Sequence, residues 1–283
     1  MRLPNFHDLL RGGRRKLLRR YLTHVVGARR RKHDLADVFA AIAHVLRTGV
    51  PWASLDDHPG YPPASTVYYY FAKWSKAYAF DELNRLLVGR VRDSRRGRNR
   101  RRAAGLPRRR REPTACVIDS QSIKSRVWGW RESRGFDGHK KVNGVKYHAA
   151  VDTEGHVLAC VTTAANVHDS RAVPDLLDAL RRAGYHRLRR VYADAAYRGC
   201  EGYARPRGFA IAIVKRSDYA EAKRSRTRAP GKPFVPLPKR WVVERTSAHQ
   251  MWHRRLTESH DRLDAVVEAW FLLGSITLLL RQS

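Results

Sequence analysis

The chain has 283 residues, of which 57 are Lys or Arg and 26 are Asp or Glu, so its formal net charge is +31. Hydrophobic residues make up 43% and aromatic residues 10%, which excludes a disordered chain and predicts one or two domains with a sizeable core. So large a positive charge favours a polyanionic partner, with nucleic acid as the first candidate and an anionic membrane surface as the second.

The N-terminal third of the chain is predicted to be helical and basic. Between Arg11 and Lys32 there are ten Lys or Arg residues and no acid. The leucines among them favour a basic amphipathic helix, with a solvated tail as the alternative. A helical apolar pattern then begins at Asp34, and Gly49 and Pro51 are predicted to end it.

Two further helices are predicted, one from Thr66 to about Lys76 with Ser65 as its N-cap, and one from Asp81 to Arg92. Short helices joined by a tight turn on so basic a chain indicate a helix-turn-helix DNA reader, although a small helical packing domain is the alternative. In the first of these helices, Lys73 and Lys76 are the residues predicted to lie in the major groove.

Three consecutive tyrosines, Tyr68 to Tyr70, lie in the same predicted helix. Some of them could also face the major groove. Alternatively, all three pack against the helix that begins at Asp34.

Ten of the seventeen residues from Arg95 to Arg111 are arginines. Such a composition cannot build a core and predicts a flexible linker. Phosphate contact is the favoured role for this run, because each neutralised phosphate releases counterions; a merely solvated run is the alternative.

After the arginine run the pattern changes to short apolar strands, with helices at Ser170 to Arg182 and from near Arg240, the latter carrying Glu244. The Asn143-Gly144 pair predicts a hairpin turn, and Asp152 to Gly155 predicts another. The predicted strands are Thr114 to Ser120, Lys146 to Val151, His156 to Thr163, Leu188 to Ala193 and Phe209 to Val214. This order of strands and helices predicts a mixed α/β sheet.

The apolar stretch from Ala265 to Leu280 is short for a membrane span, contains Glu268, and has helical spacing, so it predicts a buried C-terminal helix. The three cysteines, Cys116, Cys160 and Cys200, have no metal-ligand spacing and are expected to pack as free thiols. The N-terminus lacks the apolar core of a signal peptide, and the cytosol fits best.

Three acids stand out by position. Asp119 and Asp194 each end a predicted strand, and sites in open α/β sheets cluster outside the carboxyl ends of strands. Glu244 lies on a predicted helix. Three carboxylates without a nearby Cys suit Mg²⁺ or Mn²⁺, and two such ions about 4 Å apart support phosphodiester chemistry. Taken singly, either Asp could be a turn or cap residue, and Glu244 could pair with Arg240.

The amino-acid sequence around these acids resembles that of the DDE transposases of bacterial insertion sequences, specifically the insertion-sequence-five group with its ribonuclease-H-like catalytic domain. The similar segments are DLADVFAAIAHVLRTGVPWASL, STVYYYFAKW, VIDSQSIK, GFDGHKKVNGVKYHAAVDTEGHVLA, ANVHDS, VYADAAYRG, IVKRSD and LPKRWVVERT. Together with the C-terminal helix, the resemblance covers roughly residues 34 to 281.

The resemblance implies that Asp119, Asp194 and Glu244 are the catalytic and metal-binding triad. Arg240 and Glu244 would be the Arg and Glu of the family's Tyr-Arg-Glu-Lys signature, although Leu237 stands at its Tyr position. The basic residues expected to contact DNA are Lys73, Lys76, Arg108, Arg109, Arg110, Arg111, Lys124, Arg240, Arg245, Arg254 and Arg255. Lys124 could instead form a salt bridge.

The expected architecture is a ribonuclease-H-like mixed sheet with flanking helices, preceded by a small all-helical, helix-turn-helix-like DNA-binding domain. The expected divisions are residues 1–94 for the helical domain, 95–112 for the Arg-rich linker and 113–283 for the catalytic domain.

The resemblance implies a transposase that cleaves DNA strands and transfers them, using two Mg²⁺ or Mn²⁺ ions. Its expected partners are double-stranded DNA (transposon ends and target) and a second copy in a synaptic homodimer, with no membrane and no nucleotide cofactor. No phosphate-binding glycine loop is found. The expected location is the bacterial cytoplasm, at the nucleoid. The alternatives are a hydrolytic nuclease of the same fold and an inactive DNA-binding remnant.

Overall fold

The computed structural model describes residues 10, 12–26, 32–94, 99, 102–103, 105, 110–126, 134–214 and 240–283. The predictions for Arg108 and Arg109, and for most of the arginine run, lie outside these residues. Arg240 begins a described helix, but its side chain is not described.

Four helices make up the described N-terminal region: α1 (Gly13–Val26), α2 (Leu35–Thr48), α3 (Ala64–Lys76) and α4 (Ala79–Arg92). The predicted basic amphipathic helix is confirmed as α1, which buries Leu18 and Leu22 completely, so a solvated tail is wrong for these residues. Asp34 caps α2 by accepting the Ala36 N–H at 2.9 Å, and Gly49 ends that helix in the left-handed conformation, as the sequence predicts.

The predicted N-cap Ser65 is wrong. Helix α3 begins at Ala64, two residues before the predicted start at Thr66, and it follows Pro63, whose side chain cannot cap. The carboxylate of Asp56 accepts the Ala64 N–H at 2.8 Å instead. A residue eight positions upstream therefore satisfies this helix end, which local sequence rules do not anticipate.

A mixed sheet forms the centre of the molecule. Its strands are β1 (Ala115–Ser125), β2 (Gly135–Asp137), β3 (Val142–Asp152), β4 (Val157–Ala164), β5 (Arg190–Ala193), β6 (Ala210–Ile213) and β7 (Glu258–Ser259). The order is β2-β3-β1-β5-β6, with β4 beside β3 and β7 beside β1. Strands β1, β3 and β4 pair antiparallel, whereas β1, β5 and β6 pair parallel. The predicted mixed α/β sheet is confirmed.

The hairpin predicted at Asn143-Gly144 is wrong. Both residues lie inside β3, and the turn between β2 and β3 falls at Gly138 to Lys141, where Lys141 has φ 53°. Gly144 is needed for a different reason: a Cβ there would overlap the carbonyl oxygen of Ile123 on β1. The glycine permits close approach of two strands rather than a turn. The turn predicted at Asp152 to Gly155 is confirmed.

The remaining helices are α5 (Val173–Arg182), α6 (Glu201–Ala204), α7 (Arg240–Gln250), α8 (Arg254–Thr257) and α9 (Asp264–Gln282). Consecutive side chains on β3 point to opposite faces. Lys146 points to the segment that leads into α5, where it contacts Asp169. The Tyr147 ring points to the other face and packs on Phe271 of α9, with 4.9 Å between the ring centroids. Helix α7 contacts α9 and packs against β1 and β3, so α7 and α9 share a face of the sheet.

The predicted start of α5 at Ser170 is wrong. A 3₁₀ turn from Asp169 to Ala172 precedes the helix, and the His168 side chain caps that turn by accepting the Ser170 N–H. Helix α5 then begins at Val173 with Pro174 in its first turn, which suits proline because a first-turn N–H has no intrahelical partner.

The N-terminal helices and the sheet share one hydrophobic core. The Trp270 ring of α9 contacts Phe71 of α3 at 4.2 Å and Trp52 at 5.5 Å between centroids. The amide of Asn84 on α4 donates to the Val157 carbonyl on β4 at 2.7 Å. Helix α9 is buried as predicted, and no helix among the described residues is both long enough and apolar enough to cross a bilayer. The three cysteines are free and buried, also as predicted.

Candidate active site

Two of the three predicted acids lie side by side. Strands β1 and β5 are parallel neighbours, with Val117 paired to Tyr192. Continuing this register by two residues pairs Asp119 with Asp194, the residue that directly follows β5. Because neighbouring strands are about 4.8 Å apart, Asp119 and Asp194 are close neighbours at the point where β5 ends. The prediction that Asp119 ends its own strand is wrong, because β1 continues to Ser125.

Each aspartate also has a local hydrogen bond that orients it. The Asp119 Oδ1 atom accepts the Ser120 N–H at 2.9 Å. Asp194 accepts the Ala196 N–H at 2.9 Å and so caps a 3₁₀ turn from Ala195 to Tyr197. The cap interaction named as the alternative for Asp194 is therefore present. It does not exclude a ligand role, because a carboxylate has two oxygens and about four lone-pair positions.

The side chain of Tyr197 lies within reach of the same acids. It is 1% exposed. Burial, followed by the negative charges of Asp169, Asp119 and Asp194, raises the pKa of its hydroxyl well above the ordinary value. The tyrosine therefore stays protonated, and its environment shows that three carboxylates concentrate negative charge at this edge of the sheet.

The third predicted acid, Glu244, is exposed on α7. Asp119 pairs with Ala149, two residues from Tyr147, so Asp119 lies on the face of the sheet that carries α9 and α7. Asp119 and the helix of Glu244 are thus on the same side. Among the described residues, the three acids do not form a group whose ligand atoms all lie within 4.8 Å of one another.

Such a group does form at the other end of β3, from Asp152, Glu154 and His156. The Asp152 Oδ1 atom accepts the N–H groups of Glu154 at 2.8 Å and His156 at 3.0 Å, and Oδ2 accepts His156 Nδ1 at 3.1 Å. Oδ2 also pairs with the guanidinium of Arg92, which is 7% exposed. The Arg92 guanidinium would repel a metal ion at this position. The cluster is therefore better explained as a buried ion pair that closes the turn.

Sequence reasoning missed a second polar network, in which Lys146 is buried and Asp169 is half-buried. Asp169 accepts Lys146 Nζ at 2.8 Å and the Ser120 hydroxyl at 2.8 Å. One sequence signal was available: Lys146 falls in a strand of apolar residues, where an unpartnered lysine is rare. The identity of its partner could not be read from the sequence.

The predicted DNA-contact residues fall into two groups. The exposed members are Lys73, Lys76, Arg110, Arg111, Lys124, Arg245 and Arg254. The Arg245 guanidinium stacks over Trp241 at 4.6 Å and donates to the Glu154 carbonyl at 3.0 Å. Arg255 is only partly exposed, because it pairs with Asp261 at 3.1 Å and lies over Trp270.

A cavity of about 450 Å³ lies between the end of α4, the β3–β4 turn, α7 and α9. Arg92, Arg245, His249 and Gln250 are among its lining residues. The cavity adjoins Arg92, and neither Asp119 nor Asp194 is among its lining residues.

Sequence comparison finds matches over most of the chain. The family described as "Transposase DDE domain" matches residues 110–280, and the one described as "Putative transposase of IS4/5 family" matches residues 15–84. A curated relative from Burkholderia cepacia, "Putative transposase for insertion sequence element IS402", is 32% identical over 161 residues. That alignment covers 54% of this chain and 70% of the relative.

Two solved structures share a more distant likeness. A piggyBac transposase synaptic complex with hairpin DNA gives a TM-score of 0.37 at 11% identity, covering 97% of this chain and 73% of that one. The Drosophila P element transposase strand transfer complex gives 0.35 at 12% identity, covering 78% of this chain. The match spans about half, 49%, of the P element chain.

Proposed function

The chain belongs to the family of transposases with a DDE domain, and we propose that it cuts DNA at the ends of an insertion sequence and joins the ends to target DNA through Asp119, Asp194 and Glu244. One observation supports the residue assignment above all: the parallel register that sets Asp119 of β1 beside Asp194, which directly follows β5. Sites in open α/β sheets form outside the carboxyl ends of strands such as β5.

The donor set fits a pair of hard divalent cations, Mg²⁺ first and Mn²⁺ second. Three carboxylates offer only oxygen ligands, and the buried cysteine nearest in sequence, Cys116, lies inside β1. Burial first, and then the negative charges of Asp169, Asp119 and Asp194, raise the pKa of the Tyr197 hydroxyl; bound cations would neutralise those charges. When bound, two such ions activate a water or a 3′-hydroxyl and stabilise the leaving oxygen of a phosphodiester.

The chain's own residues supply binding and orientation. Backbone N–H groups hold Asp119 and Asp194, and exposed basic residues on α3, near the start of β1 and late in β1 offer phosphate contacts, namely Lys73, Lys76, Arg110, Arg111 and Lys124. The DNA would therefore lie across the N-terminal helices and the carboxyl edge of the sheet. The partners we propose are double-stranded DNA and a second copy in a synaptic homodimer, without a nucleotide cofactor.

The domain division that accompanies this proposal is residues 1–94 for the helical DNA-binding domain, 95–112 for the Arg-rich linker and 113–283 for the catalytic domain. The shared core means that the helical region and the sheet support each other even though their tasks differ. Tests of DNA binding therefore require the full chain.

The proposal is tested with isosteric variants that remove one charge each: Asp119→Asn, Asp194→Asn and Glu244→Gln. Each should abolish Mg²⁺-dependent cleavage of an insertion-sequence end and leave DNA affinity intact. Asp57→Asn, an exposed acid on another surface, is the matched control and should cleave normally. Cleavage by Glu244→Gln at the parent rate would remove Glu244 from the triad.

A pre-cut DNA end separates the transposase from a nuclease of the same fold. A transposase joins that end to target DNA, whereas a nuclease only degrades it. A parent protein that binds the end but neither cuts nor joins it with Mg²⁺ or Mn²⁺ would be an inactive remnant.

A further inference from the structure

Directly behind Asp119, on the opposite face of β1, lies a buried polar network that the proposed chemistry does not use. We define the Lys146 network as Lys146, Asp169 and Ser120. The Lys146 side chain is 9% exposed, and its Nζ donates to Asp169 Oδ1 at 2.8 Å and to the Val167 carbonyl at 2.8 Å. Asp169 Oδ2 accepts the Ser120 hydroxyl at 2.8 Å.

Stability alone does not account for this network. Taking a lysine and an aspartate out of water costs several kcal/mol per ion, and apolar side chains of similar volume often serve a fold as well or better. Apolar side chains do occupy other positions on this face of the sheet, among them Ile118, Ala150 and Val161. The charges of Lys146 and Asp169 are therefore best explained by the neighbouring side chains that they hold in position.

The network connects directly to the acid pair through Ser120. Ser120 is held by its hydroxyl on Asp169, and the N–H of the same residue donates to Asp119 Oδ1 at 2.9 Å. A shift of Ser120 would therefore turn the Asp119 carboxylate. The charge of Asp169 reaches the same edge of the sheet, since it acts on the Tyr197 hydroxyl together with Asp119 and Asp194.

We propose that Lys146 and Asp169 are positioning residues that hold the Asp119 carboxylate in its cation-binding orientation through Ser120. This inference rests on the proposed function, because the cation site at Asp119 is part of it. Groups that orient a metal ligand from behind typically change metal affinity about 10- to 100-fold when removed.

The direction in which Lys146→Met changes the affinity for Mn²⁺ distinguishes a positioning role from an effect of charge alone. Lys146→Met removes a positive charge near the acids, so an effect of charge alone would make the protein bind Mn²⁺ more tightly. If Lys146 positions Asp119, the same variant binds Mn²⁺ more weakly, by about tenfold or more. Ser120→Ala breaks the connection without changing any charge and should weaken binding similarly, whereas Ser120→Thr keeps the hydroxyl and should restore it.

Thr48→Ala is the matched control for the loss of a hydroxyl. The Thr48 hydroxyl lies on α2 and donates to the His44 carbonyl at 2.7 Å. This variant should bind Mn²⁺ as the parent does.

The measurement is Mn²⁺ binding to the full-length protein without DNA, followed by the electron paramagnetic resonance signal of the free ion. If the parent and Asp119→Asn bind Mn²⁺ alike, the proposed cation site fails, and this inference fails with it. If binding needs Asp119 but Ser120→Ala matches the parent, positioning through Ser120 is wrong while the proposed function stands. The Ser120 variants decide the question even if Lys146→Met does not fold.

Discussion

Phe71 of α3 and Trp270 of α9 lie with their ring centroids 4.2 Å apart and their planes 31° apart, although they come from opposite ends of the chain. Both are 1% exposed. The contact joins the N-terminal helices to the last helix of the sheet region, so the two regions are expected to unfold together.

Trp270→Ala tests this coupling. Removing a buried tryptophan should lower the free energy of unfolding by about 3–5 kcal/mol. Urea unfolding followed by far-UV circular dichroism and by fluorescence should show one shared transition. Trp252→Ala, at a position 65% exposed, should change stability little. Two separated transitions in the parent protein would contradict a common core.

A second prediction concerns Glu268 on α9. Burial raises the pKa of this carboxyl from 4.5 to about 7, while its Oε1 accepts the Thr162 N–H at 2.9 Å. The folded state therefore holds the proton more tightly than the unfolded state does. The stability that this proton contributes is complete below pH 4.5 and is lost as the pH rises through about 7.

Glu268→Gln keeps an acceptor for Thr162 and removes the titration. The variant should be more stable than the parent at pH 8, by up to about 3 kcal/mol, since one pKa unit corresponds to about 1.4 kcal/mol. The difference should shrink towards pH 5. Chemical denaturation at several pH values measures it, and an equal difference at all pH values would refute the assignment.

A third prediction concerns sequence reading by α3. Tyr68 and Tyr69 are 53% and 58% exposed, so the alternative in which all three tyrosines pack against α2 is wrong for these two. Lys73 and Lys76 are exposed as well, and Lys73 Nζ lies 5.9 Å from the centre of the Tyr69 ring. This surface is available for a DNA groove.

Lys73→Gln with Lys76→Gln should lower the preference of the full chain for end DNA over random DNA by about tenfold, because base contacts give about 1–3 kcal/mol of discrimination. Lys16→Gln, an exposed lysine on α1, should weaken both complexes equally. Footprinting and competition binding measure the ratio. An unchanged ratio would place specificity elsewhere.

A fourth prediction concerns the arginine run. Arg110 and Arg111 are exposed just before β1. Replacing both with Ser should reduce the slope of log affinity against log salt by about 0.9 for each phosphate that the variant no longer neutralises, and should weaken the binding of all DNA sequences alike. A parent protein whose affinity is independent of salt would argue against a DNA partner.

Local patterns were enough to predict much of the fold. Periodicity predicted α2, α4, α7 and α9 and the five principal strands to within a few residues at each end. The position of Asp194 directly after β5 also came from local sequence. These features depend on neighbours within a few residues, which the sequence displays directly.

The sequence-based predictions failed where a residue distant in the chain determines the local structure. Asp56 caps α3 in place of Ser65, and the close approach of Ile123, not a turn, explains Gly144. The partner of Lys146 is Asp169, which lies outside the strands and 23 residues further along the chain.

The sequence by itself determined the net charge of +31, the alternation of strands and helices, and the position of Asp194 directly after a strand. Only the tertiary structure decided that Asp119 and Asp194 are neighbours, because parallel register depends on pairing between strands far apart in the chain. It also decided which charges are buried against one another, as Lys146 and Asp169 are. A buried ion persists only where folding brings its counter-ion within hydrogen-bond distance, and that distance is set by the packing of the whole sheet.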